Sequence, residues 1–522
     1  MVLSDFLPDS QPRLADLAGC EDWLARAALA GMPHACSALL TLLEQIEAHP
    51  PRHSAYVQIL ERLRYPVMHA EVEQAKGFAG KPLPLGQGEA AAFVHANALW
   101  AAMLRPYARL LSAALNGKHP ELEPSLARLF QRVLACAGEV IGTCLFARRE
   151  FGADYWKLMH QTYAAAEARA IRSEIVADLS VESSPMAAYV EVLMLQLAQP
   201  HRLSHRELDW ARKWVRRWAH KVVLSRDAPL QGGYAVDLAG ASGPAWAEAA
   251  AGSVSLRFLD LARVAASISA RIRRLEEGAE PATLGLGSDC TRLAAQDLLK
   301  TLQRAWLDSS PARDFPRRAS PSPMELVSGF AAIHHAIEGT PVTKSAGPSS
   351  AGPSSYSYGE AERFHTFQPC AEQDAREQGL ETWETLGESD DGFRLRRGTH
   401  GMRLAHRQLV ALRPSGARQF ILCHVDSLIE GSDQTLTIVA RALKGEVKAC
   451  AVRSSDRSAP QRSDALMLPV APGLSPALVL PTGWYRRAGE LELELGNAIR
   501  RVTLSGVLER GFDYERVRVS TS

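Results

Sequence analysis

The chain has 522 residues, 46% of them apolar, with 59 Lys plus Arg against 58 Asp plus Glu, a formal net charge of +1. This length suggests about two to four domains with ample material for buried cores. The near-neutral balance argues against bulk electrostatic binding to nucleic acid or anionic membranes, so any anion site must be local.

Residues 1–222 read as helices almost throughout, with apolar positions recurring at intervals of three and four. Leu126, Leu129, Phe130, Val133, Leu134 and Ala137 form one such face. Trp210, Trp214 and Trp218 form another, on a helix whose start is marked by a Ser204–Glu207 capping box. A tryptophan stripe at helical spacing is expected to face a core. The stretch Val133–Ala147 carries Glu139 and is flanked by Arg132 and Arg148, so it is expected to be too short and too polar to span a bilayer. The N-terminal MVLSDFLPDSQPR has neither a basic start nor an apolar run, and no signal peptide is expected. The eight cysteines include no Cys-x-x-Cys pair and sit in apolar contexts, as reduced core thiols do. A cytoplasmic protein is the expectation.

Residues 223–308 change character. Short strands are predicted at Tyr234–Leu238 and Val254–Phe258, then helices at about 259–277 and 291–307, which together read as a small α/β domain. A Ser/Pro/Arg-rich break follows at 309–323, and a tandem SAGPS repeat makes 339–359 a low-complexity linker. Between them, Met324–Glu338 reads as a strand followed by one short helix. From about Glu381 the period shifts towards two. Strands are predicted at Leu409–Leu412, Gln419–Val425, Leu436–Leu443, Val447–Val452, Ala477–Leu480, Glu490–Leu495, Arg500–Leu504 and Tyr514–Val519. The fold class expected is multidomain α+β: an all-α helical N-terminal half, a small α/β middle domain, an antiparallel β-barrel at 309–460, and a further β subdomain at 461–522.

From Gly392 to Val425 there is no acidic residue before Asp426, yet Arg394, Arg396, Arg397, Arg403, Arg407, Arg413 and Arg418 all fall there. Arginine suits phosphate and guanine because its planar fork makes two parallel hydrogen bonds. The competing reading is a solvated face of a sheet. Two motifs flank this stretch on its N-terminal side. One is Arg313-Asp-Phe-Pro-Arg317, followed by Arg318. The other is Gly387-Glu388-Ser389-Asp-Asp-Gly392, running into the strand-like Phe393-Arg394-Leu395.

Together these residues, with the strands after them, resemble the PilZ domain family, a small β-barrel that binds cyclic di-GMP through an Arg-x-x-x-Arg loop and an Asp/Asn-x-Ser-x-x-Gly turn. The resemblance covers about residues 310–455. It implies a cyclic di-GMP effector, not an enzyme, with Arg313, Arg317 and Arg318 gripping the nucleotide. Ser389 would donate to it, Glu388 and Arg394 would lie beside it, and Gly392 would supply the backbone freedom of the turn. The helical half would then meet a protein partner. The position of the motif's Asp/Asn is Gly387, and the two motifs stand about 70 residues apart. Gly387 keeps a second reading open, a protein–protein scaffold whose barrel no longer binds nucleotide.

No metal site or other cofactor is expected, since His334-His335 point about 100° apart on a helix and His201 and His205 straddle a helix start. A hydrolase built on His424 and Asp426 of one strand is a third, weaker reading. There is no phosphate-binding P-loop, Gly-x-Ser-x-Gly elbow or Gly-x-Gly-x-x-Gly turn.

Overall fold

A computed structural model describes residues 16–28, 32–117, 119–178, 181–230, 232–248, 253–307, 317–339, 379–454, 462–469, 475–485, 489–496 and 498–521. Arg313, Cys370 and the SAGPS repeat lie outside these residues. The chain divides into two compact units, Met1–Lys81 with Leu85–Arg313, and Pro82–Pro84 with Asp314–Ser522.

The first unit is helical: α1 (Leu17–Ala28), α2 (Met32–Ala48), α3 (His53–Phe78), α4 (Gln87–Leu115), α5 (Leu126–Phe146) and α6 (Ala153–Ala168). A small hairpin of β1 (Val176–Asp178) and β2 (Val181–Ser183) precedes α7 (Pro185–Leu197) and α8 (His205–Trp218). Helix α8 starts where its sequence says it should. Glu207 N–H donates to Ser204 Oγ (3.3 Å), and Ser204 N–H donates to the Glu207 carboxylate (2.8 Å), satisfying two amides at the helix start. The tryptophan stripe is core: Trp210, Trp214 and Trp218 are all buried. Their polar edges are satisfied, with Trp210 Nε1 donating to Asp289 and Trp214 Nε1 to the Leu286 carbonyl, both at 2.9 Å. Helix α5 with the turn before it is long and apolar enough to cross a membrane by length and composition, and it is mostly buried within this unit.

A four-stranded sheet follows, ordered β3 (Val223–Ser225), β6 (Leu256–Asp260), β4 (Gly233–Asp237), β5 (Ala245–Ala247), with α9 (Ala262–Glu276) and α10 (Arg292–Leu307) after it. One continuous cluster of buried side chains runs from Cys20 to Trp306, so the segment 223–307 packs into the same core as the helices. The seven cysteines among the described residues are free and buried.

The second unit is two closed, wholly antiparallel six-stranded barrels. The first contains β7 (Arg317–Ser328), β8 (Leu380–Ser389), β9 (Gly392–Gly398), β10 (Leu409–Pro414), β11 (Ile421–Glu430) and β12 (Thr435–Ala442), with α11 (Phe330–Glu338) leaving after β7. The second contains β13 (Lys448–Ser454), β14 (Arg462–Leu468), β15 (Ala477–Pro481), β16 (Glu490–Leu495), β17 (Ala498–Arg510) and β18 (Tyr514–Thr521). The sequence period explains the strands: in Glu490–Leu495, Leu491 and Leu493 are buried while the intervening glutamates face outward. The expected further β subdomain is therefore a complete barrel, and Lys448–Ser454, placed by the sequence before residue 460, pairs within it.

The two barrels share one topology. Around the first, the order is β7-β8-β9-β12-β11-β10 and back to β7; around the second it is β13-β14-β15-β18-β17-β16 and back to β13. Numbering strands within each barrel gives 1-2-3-6-5-4 both times, two three-strand meanders joined edge to edge. Each also carries a bulge between its fifth and sixth strands, at Val425/Ser427 and at Leu504/Gly506.

A seam joins them. Ala332, Ile333 and Ala336 of α11 pack with Leu409 and Leu422 from one barrel and Leu466, Leu468, Ala477 and Val479 from the other. His334 Nε2 lies 3.0 Å from the Cys450 carbonyl oxygen. Leu409 N–H donates to Asp513 (2.9 Å), and Phe512 N–H donates to the Arg407 carbonyl (2.8 Å).

Candidate functional site

The sequence places its two motifs far apart, and the first barrel sets Arg317, the last residue of the first motif, beside the second. Strand β7 pairs with β8 so that Arg317 is the Cα partner of Gly387. Across the next ladder Gly387 is the partner of Arg394. Adjacent strands lie about 4.8 Å apart, so the three positions form one short row across the sheet. Arg318 follows on β7, and Arg313 lies outside the described residues.

The β8–β9 turn is the second motif. Ser389 pairs with Gly392, and its hydroxyl accepts from Asp391 N–H at 3.3 Å, a local turn bond. Glu388 pairs with Phe393. Gly392 has φ of 147°, and a Cβ there would overlap the Ala440 carbonyl oxygen on the neighbouring strand. Only glycine meets both demands. Arg394 is exposed and has no ion-pair partner among the described residues.

Much of the acid-free arginine stretch is answered by carboxylates from elsewhere in the fold. Arg396 pairs with Glu384 at 3.1 Å, Arg397 with Glu381 at 3.3 Å, and Arg413 with Glu325 at 2.6 Å. Arg397 also lies over the Trp383 ring, 4.7 Å from its centroid, and donates to the His400 and Met402 carbonyls. An open groove of about 730 Å³ runs past Trp383, Arg396, Arg397, Ser322 and Asp433 on this barrel. Of the seven arginines that sequence spacing grouped together, three thus hold carboxylates within the barrel, while Arg394 and Arg418 are exposed without an ion pair among the described residues.

His424 and Asp426 do not form a catalytic pair. His424 Nδ1 lies 3.3 Å from Glu509, and Asp426 holds Arg441 at 2.9 Å. The register shifts between Val425 and Ser427, and each of the two side chains is engaged by a different charged partner. Burial pushes the His424 imidazole below its ordinary value, against the pull of Glu509.

The helical unit holds a charged site that spacing gave no sign of. Buried Glu71 lines a cavity of about 490 Å³ with Arg212, Trp210 and Asp289. Burial pushes its carboxyl up to about 7. Burial also works against the ionisation of Glu139 nearby, yet Arg212 and Arg216 hold it down to about 2. Arg216 bonds Glu139 at 2.7 Å and reaches Glu191 at 3.2 Å. These carboxylates and arginines come from four helices, so only the folded chain assembles them.

No curated protein and no solved structure matches this chain. Residues 18–229, less than half of the chain and, apart from Pro82–Pro84, within the helical unit, match the family model described as the cyclic-di-GMP receptor FimW, N-terminal domain.

Proposed function

We propose that the protein is a cytoplasmic cyclic di-GMP effector that binds the nucleotide at the first barrel through a divergent PilZ-like site and signals through its helical unit to a protein partner. The observation that supports this reading is the row Arg317, Gly387, Arg394, in which the last arginine of the first motif pairs beside the Ser389–Gly392 turn despite the interval between them. The match of the helical unit to a receptor family's N-terminal domain supports it independently. The role is binding rather than catalysis: the separate partners of His424 and Asp426 leave the first barrel without the acid–base pair that a hydrolase reading needs.

Isothermal titration of the intact protein with cyclic di-GMP is the test. Micromolar binding is expected. Replacing Arg313, Arg317 or Arg394 with Ala should each remove one bidentate contact, about 1–3 kcal/mol or about 5- to 150-fold in affinity. Absence of heat with folded protein would overturn the reading.

A second reading, a scaffold that uses the barrel only for protein contact, is favoured by Gly387. That position is buried in the ladder and offers no side-chain acceptor for a guanine edge. A partner that co-purifies equally well with and without nucleotide would support it.

A further inference from the structure

We propose that His53, His119 and Glu121 form a solvent-accessible binding site for a divalent transition-metal cation, best suited to zinc, on the surface of the helical unit. The three ligating atoms lie within 4.8 Å of one another. Two imidazoles converge on one carboxylate oxygen: His53 Nδ1 is 3.4 Å and His119 Nδ1 is 3.3 Å from Glu121 Oε1. The rings meet edge to face with centroids 4.1 Å apart.

The distances are informative. A good N–H···O hydrogen bond is about 2.7–3.2 Å long, and both separations exceed it. Donors about 2.0–2.1 Å from a tetrahedral zinc ion stand about 3.3–3.4 Å from each other. The observed separations have the length of a tetrahedron's edge. Two imidazoles and one carboxylate supply three donors, and exposure leaves a fourth position for water. Two nitrogens and one oxygen suit zinc better than the oxygen-preferring calcium or magnesium.

The donors are also held in place. His53 opens α3 directly after Pro50-Pro51-Arg52. His119 precedes the 3-10 helix Pro120–Ser125, whose first residue is fixed in φ by its ring and whose Leu122 is buried.

A second cluster, His334, His335 and Glu338, is also close enough to hold an ion. There His334 is buried and its Nε2 faces the Cys450 carbonyl, so it serves the barrel seam and provides an internal control.

The test is a zinc titration of the intact, chelator-stripped protein against a competing chromogenic chelator. One equivalent should bind in the micromolar range. Affinity should fall more than tenfold in His53→Gln and in His119→Gln, fall in Glu121→Gln, and stay unchanged in His335→Ala. Zinc should raise the melting temperature of the wild type but not that of the histidine variants, whose own melting temperatures without zinc show that they stay folded. No binding at about 100 µM zinc, or binding that survives both histidine substitutions, would overturn the assignment.

Discussion

The two barrels have the same strand order, the same antiparallel pairing and a bulge in the same place, yet they present different chemistry at the same point of the fold. Follow the row that starts at the first residue of each first strand. In the first barrel it reads Arg317, Gly387, Arg394; in the second it reads Lys448, Met467, Leu478. The β8–β9 hairpin of the first barrel turns in two residues and needs Gly392, whereas the corresponding β14–β15 connection runs through the apolar Pro469–Pro476. Topology is thus a frame that the hydrophobic pattern sets, and the site is a local decoration of it. The second barrel matches the first as a fold without matching it as a candidate binding surface.

Four measurements would break or sharpen that comparison. The largest effect belongs to Gly392→Val. Positive φ and overlap with the Ala440 carbonyl together should cost about 4 kcal/mol or more and unfold the first barrel. Because α11 and its neighbours bind both barrels in one seam, hydrogen exchange should rise in β14 and β15 as well. Protection retained there would mean that the barrels are independent.

Next come Leu395→Ala and Leu478→Ala, matched third-strand leucines that are both fully buried. Each should lose about 2–5 kcal/mol, and calorimetry of the intact protein should show the same barrel transition shifting in both variants. Two separate transitions would divide the unit.

Asp513 of the second barrel touches the first through Leu409 N–H, and burial pushes its carboxyl up to about 7. A folded value raised above the unfolded one means that stability is full below about pH 4 and declines until about pH 7. Asp513→Asn keeps an acceptor for Leu409 and removes that decline. It should gain roughly 1–2 kcal/mol over wild type at about pH 8 in urea unfolding, since each tenfold change in proton affinity is worth about 1.4 kcal/mol and the residue is only half-buried. Equal slopes with pH for the two proteins would remove this group from the seam's energetics.

The smallest effect is Arg396→Ala. Its ion pair with Glu384 is exposed on both sides, and its melting temperature should match wild type to within about 0.5 kcal/mol of stability.

These contrasts explain what was legible in the sequence. Local rules carried far: the Ser204–Glu207 box, the tryptophan stripe and the alternating leucines of 490–495 all correspond to observed elements. So do the strand and helix at 324–338. Strands β8 and β14 were harder to see, because Glu384 and Ser463-Asp464 interrupt their apolar alternation. The arginine stretch misled because Glu325, Glu381 and Glu384, which neutralise three of its members, come from strands outside it. The partners of His424 and Asp426 were illegible because Glu509 and Arg441 come from other strands. His53 and His119 stand 66 positions apart, and Glu71, Glu139 and Arg212 further still, so no spacing rule joins them.

The interval inside the first barrel also has a kinetic meaning. Its first strand meets the second 70 positions along the chain at Arg317–Gly387, while the second barrel makes the equivalent pair, Lys448–Met467, across 19. Closing the longer loop costs about 1 kcal/mol more conformational entropy, so the first pairing of the second barrel forms several-fold faster. Helix α11, tethered to β7, packs on β13 and β14 of that second barrel. The later barrel thus supplies a surface for the helix tethered to the earlier strand, and assembly of this unit from the second barrel towards the first is the order that loop closure favours.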